Sequence, residues 1–183
     1  MSEPITPEAQ AAAEWTAFYR AFGEMFLEWA EFELVLGLML GHLLGTDQFR
    51  TRVIWASSPN FYARKKLLLR LSETFMHDDD LPAFRGLIKR AGRLVSNRNM
   101  VAHSLGGLEA GKNKFVFLWD DDDEKMGFDF VRQQVVHLEN VKGWTTAIIA
   151  LRNDLYAFKK TVRVHASPKM HRPPPGDHAP NTA

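Results

Sequence analysis

The sequence contains no cysteine, which removes disulfide frameworks, thiolate zinc sites and cysteine nucleophiles together and fits a reducing compartment. It also lacks an apolar run of membrane length. The greasiest stretch, residues 34–44, includes His42 and follows Glu28, Glu31 and Glu33, whereas a spanning helix needs about 20 apolar residues. The N-terminal residues have neither the basic start nor the apolar core of a signal peptide, so the expected location is cytoplasmic. Glu-x-x-His occurs nowhere in the sequence, which argues against a di-iron carboxylate bundle. No cofactor or metal is expected.

Net charge is also nearly absent, at +1, but it is unevenly spread. Residues 1–46 carry seven carboxylates against one base, and residues 47–98 carry eleven bases against five acids. A basic middle of this kind either attracts a polyanion or pairs with acidic neighbours. The 183 residues, 45% hydrophobic and 25% charged, suit one domain with a core of its own.

Thr6-Pro7-Glu8 carries the signature of a helix start: an N-cap, proline at the first helical position and an acid near the positive dipole end. Trp15, Phe18, Phe22, Phe26, Trp29, Leu36 and Leu40 then recur at helical spacing, which predicts a helix to about Leu44, stopped at Gly45. From Leu34 its apolar residues surround the axis, suggesting burial on all sides or a subunit interface. Gly37 and Gly41 either allow close helix approach or are simply tolerated. Thr46-Asp47 opens a short helix to about Ala56, and Ser58-Pro59 opens another. His77-Asp78-Asp79-Asp80 breaks the chain before a fourth helix that ends near Leu105, where Gly106-Gly107 supplies a left-handed stop. Lys114–Trp119 and Met126–Arg132 read as two strands of a hairpin, and a last helix runs from about Glu139 to Val164. The domain is therefore expected over residues 1–165, with the hairpin at about 114–132. Residues 166–183, with Pro173-Pro174-Pro175, His171 and His178, read as a disordered tail.

Gly106 to Asn113 imitates a phosphate-binding loop, but asparagine replaces Ser/Thr, and the loop follows a helix where the motif requires a strand. The aspartates at 120–123 lack calcium-loop spacing and read as a solvated turn. His77 beside three aspartates reads first as a loop.

The fourth helix is more informative. Its apolar stripe, Phe84, Ile88, Ala91 and Val95, meets Arg98 at the next step and then Ala102. A guanidinium on an inward face must be paired or line a cleft. The first helix shows the mirror anomaly, with Glu33 between Trp29 and Leu36, so an ion pair between Glu33 and Arg98 is expected. Beside the apolar stripe runs a polar line, Arg85, Lys89, Gly92, Ser96, Asn99 and His103. Asn99 and His103 share a face at i, i+4, and Arg98 can swing to the same edge. A cation, an amide and an imidazole together can hold a phosphodiester, with histidine moving the proton and arginine stabilising phosphoryl charge. The alternative is that Arg98 only anchors Glu33 and His103 only caps the helix end.

Asn97-Arg98-Asn99-Met100-Val101-Ala102-His103-Ser104 resembles the signature of the HEPN superfamily, in which an arginine, commonly followed by a polar residue, precedes a histidine late in a long helix. The resemblance covers roughly residues 15–105 and includes the upstream Glu31-Phe32-Glu33-Leu34. It implies an all-α, HEPN-like bundle of four to five helices, here with a small inserted β-hairpin. It implies further a homodimer in which two motifs meet, commonly a metal-independent endoribonuclease. Arg98 and His103 would act with Asn99 assisting; if the chain is such a nuclease, Arg85 and Lys89, further up the polar line, are expected to contact neighbouring RNA phosphates. Such proteins can be toxins or defence effectors with a neutralising partner protein. Other members are non-catalytic and bind nucleotides or proteins. Ser104, where many relatives have glycine, and the hairpin are departures from the pattern.

Overall fold

Helix α1, Pro7–Leu44, is the axis of the molecule. In the computed structural model, which describes residues 6–103, 105–109, 112, 114–120 and 131–165, the Thr6 hydroxyl accepts from the Ala9 N–H at 3.3 Å. At the other end Gly45 turns left-handed at φ 58° and returns its N–H to the last carbonyls of the helix. Glycine reaches this conformation without a Cβ clash. Helices α2, Gln48–Ala56, α3, Phe61–Phe75, α4, Leu81–His103, and α5, Leu138–Thr161, complete a mostly helical bundle. Among the described residues no helix is long and apolar enough to cross a membrane.

Phe18, Met25, Leu36, Met39, Leu40 and Leu43 on α1 are buried to within 1%, and α1 makes its most extensive packing with α5. The apolar run at 34–44 is therefore largely consumed inside one chain. Leu34, 63% exposed, stands clear of the core and Leu38 is half-buried, so most of that run is covered without an interface. Gly37 and Gly41 do permit close approach: a Cβ on Gly41 would stand 2.6 Å from the Thr51 hydroxyl, and one on Gly37 would touch the Trp55 ring at 3.8 Å.

The β region differs from a simple hairpin. β1, Leu105–Glu109, β2, Lys114–Asp120, and β3, Val131–His137, form a three-stranded antiparallel sheet in that order. Gly106 and Gly107 are not a left-handed stop; they lie within β1, opposite Phe117 and Val116. Gly106 is glycine because the Phe115 ring already occupies the space a Cβ would fill. Phe115 and Phe117, two residues apart and hence on one face, bury themselves against α1. The Phe115 ring lies 5.4–5.7 Å from those of Trp15, Phe18 and Phe22. Of the expected strand Met126–Arg132, residues 126–130 lie outside the described residues, as does the 166–183 tail.

A further boundary shifts. α3 starts at Phe61 because the Asn60 carboxamide, not Ser58, caps it by accepting from Ala63 N–H at 2.9 Å. The His77–Asp80 break is a docking corner for the chain leaving α5. Met76 bridges Val164, the His77 and His165 rings stack at 4.0 Å, and Arg163 binds Asp80 and Asp79.

Candidate functional site

A cleft of about 700 Å³ opens between the first turn of α3 and the last turns of α4, with Trp29 and Glu33 of α1 at its base. Arg98, Asn99 and His103 all line it. Asn99 and His103 are exposed and Arg98 is half-buried. The sequence pattern and the structure agree on why: Phe84, Ile88 and Ala91 are buried, so the helix presents its polar line along the cleft, one step round from the core.

Arg98 and Glu33 do not form the expected ion pair. Glu33 accepts from Arg64 of α3 at 2.9 Å, with 24% and 19% of the two side chains exposed. Arg64 also lies over the Trp55 ring at 4.9 Å. Both misplaced charges do face inward, but α1 meets α3 more closely than it meets α4, so the nearer arginine takes the carboxylate. Arg98 instead lies over the Phe26 ring at 5.4 Å and donates from Nη1 to the Asn99 carboxamide oxygen at 3.1 Å. Its buried Nε has no hydrogen-bond partner, and among the described residues no carboxylate pairs with it. The cleft therefore holds a half-buried cation without a neutralising partner, a costly state that an anion entering the cleft would relieve.

Arg85 and Lys89 line a neighbouring cleft of about 360 Å³ between the same two helices. The two clefts share Lys65 and Gly92. Arg85 is held by Glu73 at 2.8 Å, whereas Lys89 has no acidic partner among the described residues. The α3 wall, Tyr62, Arg64 and Lys65, was not singled out from sequence. Its only signal is the run Arg64-Lys65-Lys66 within the basic middle of the chain.

The acidic surplus of α1 is partly spent internally. Arg152 of α5 binds Glu28 at 2.5 Å and also Glu31, and Arg64 takes Glu33. The α4 bases are less engaged, with Arg85 on Glu73 and Arg90 on Asp154 at 2.6 Å. Among the described residues no group of three or more His, Asp or Glu is arranged around a metal position. Compared with protein-family models, curated proteins and solved structures, the chain gives no match.

Proposed function

We propose that this chain is a HEPN-like, metal-independent endoribonuclease, acting as a homodimer and serving as a toxin or defence effector restrained by a partner protein. One observation carries the reading: Arg98, Asn99 and His103 line one basic cleft, and Arg98 has no carboxylate partner among the described residues. RNA supplies its own nucleophile. The 2′-hydroxyl attacks the adjacent phosphorus, the bond to the 5′-oxygen breaks, and a 2′,3′-cyclic phosphate and a 5′-hydroxyl remain. His103 accepts the 2′ proton and returns a proton to the leaving oxygen. Arg98 stabilises the charge that builds on the phosphoryl oxygens, and Asn99 orients it. The test is RNA cleavage in EDTA by wild type and by His103→Ala. The proposal requires EDTA-resistant cleavage that the substitution lowers by about 10²–10⁴-fold. Cleavage unaffected by the substitution would assign the activity elsewhere.

A second reading is a non-catalytic helical dimer that binds a nucleotide or a protein. It is favoured by the contacts Arg98 makes to Phe26 and Asn99, which give the arginine a structural role of its own. Absence of cleavage on diverse RNAs, with retained binding, selects it.

A further inference from the structure

Tyr62 is 72% exposed, yet it lines the same cleft as His103. Among the described residues its ring has no stacking partner and its hydroxyl no hydrogen bond. Its mounting is nevertheless rigid. Asn60 caps the helix at 2.9 Å, and Phe61 is anchored edge-on to buried Trp29 at 5.4 Å. The first turn of α3 is thus fixed from both sides, with Tyr62 presented to solvent.

Lys65, one turn further along α3, stands where the two clefts join. Gly92 of α4 faces it, and a Cβ there would lie 3.5 Å from the lysine Nζ. Glycine adds no side chain at this point, which the linings of both clefts share. Beyond this saddle come Lys89 and Arg93. The two acids in the groove, Glu33 and Glu73, are each held by an arginine at 2.9 Å and 2.8 Å, which leaves the remaining cations to a ligand. The groove thus offers a free aromatic face at one end and a row of positive charges leading from it. A single strand presents base faces to stack and phosphates to pair in this order, whereas a duplex hides its base faces inside the helix.

We propose that Tyr62 stacks on an unpaired base flanking the scissile phosphate, and that Lys65 holds the next phosphate where the clefts meet. The site thereby selects single-stranded over double-stranded RNA. The inference rests on the RNA reading of this cleft. It is tested by binding, using the full-length His103→Ala protein so that the probe stays intact. The probes are a fluorescein-labelled, unstructured RNA of about 12 nucleotides, within the usual single-strand site size, and the same strand annealed to its complement. Fluorescence anisotropy should show the single strand bound roughly ten-fold more tightly than the duplex. Adding Tyr62→Ala should weaken single-strand binding by roughly ten-fold, with Tyr62→Phe close to the parent, because the π face and not the hydroxyl is used. Circular dichroism establishes that each variant is folded. Equal affinity for strand and duplex, an unchanged affinity in Tyr62→Ala, or no RNA binding by the folded protein overturns the inference. The nuclease reading is judged separately. Tyr62-dependent binding without His103-dependent cleavage removes the nuclease and keeps the recognition. Cleavage by Tyr62→Ala at the parental kcat/KM removes the recognition and keeps the nuclease.

Discussion

The Glu33 carboxylate of α1 and the Arg64 guanidinium of α3 meet at 2.9 Å with about a fifth of each side chain exposed. Removing the acid leaves a largely enclosed arginine whose Nε already lacks a partner. A hydrogen bond to a charged group contributes about 1.5–3 kcal/mol, so Glu33→Ala should lower stability by that order in urea unfolding. A double-mutant cycle distinguishes the partners. Glu33 and Arg64 should couple, whereas Glu33 and Arg98 should be additive within about 0.5 kcal/mol. Coupling to Arg98 instead would restore the pairing that the stripe pattern suggests.

The sheet depends on a missing methyl group. Gly106→Ala would drive a Cβ into the Phe115 ring, which is only 6% exposed and wedged among Trp15, Phe18 and Phe22. Overpacking of this kind costs about 1–3 kcal/mol. The smaller side chain of Phe115→Leu should partly rescue Gly106→Ala, as chemical denaturation of the single and double variants will reveal. Gly23 is the contrast: it lies within α1 with nothing among the described residues within 4 Å of its Cβ position. Gly23→Ala should therefore stabilise the protein by about 0.5–1 kcal/mol.

Arg85 and Lys89 line the same cleft but differ in engagement. Arg85 must leave Glu73, at 2.8 Å, before it can serve a phosphate; Lys89 has no such tie. Lys89→Ala should weaken RNA binding at every sequence and flatten the logarithmic salt dependence by roughly 0.7, the contribution of one single-strand phosphate contact. Arg85→Ala should change the slope less. Titrations from low to moderate salt read both, and a larger effect at Arg85 would reverse the assignment.

Acid should loosen the corner where the chain leaving α5 docks. The Arg163 backbone N–H, then its side chain, hydrogen-bond Asp80 and hold its carboxyl below the ordinary aspartate value. A carboxyl depressed in the folded state adds stability above its unfolded pKa, near 3.9 for aspartate. That stability fades as pH falls through the lower folded value. Hydrogen exchange at His77 and His165, whose N–H groups bond to the Arg163 and Phe75 carbonyls at 3.2 and 2.7 Å, should therefore lose protection at acid pH. In Asp80→Asn that loss should be smaller and the protection lower at neutral pH. An identical acid response in Asp80→Asn would show that Asp80 does not control the corner.

Local rules fixed much of this molecule before any packing was known. The Thr6-Pro7-Glu8 start, the Gly45 stop and the helical recurrence from Trp15 to Leu40 are short-range properties, and α1 follows them over its full length. The line from Gly92 through Asn99 to His103 is likewise set by the helix period, so the gathering of Arg98, Asn99 and His103 on one side of α4 was legible from spacing alone. What the sequence could not determine was which surface each line faces. Glu33 and Arg98 both interrupt apolar stripes, but only the packing of α1 against α3 gives the carboxylate to Arg64. The Gly106-Gly107 pair carries the same local signal whether it stops a helix or yields space to a ring. Phe115, across the sheet, decides for the ring. The α3 wall of the cleft, with Tyr62 and Lys65, has no periodic anomaly to announce it, because exposed aromatics and lysines suit any helix surface. Tertiary structure alone sets that wall opposite His103, since a cleft is a relation between two helices and neither sequence segment contains it.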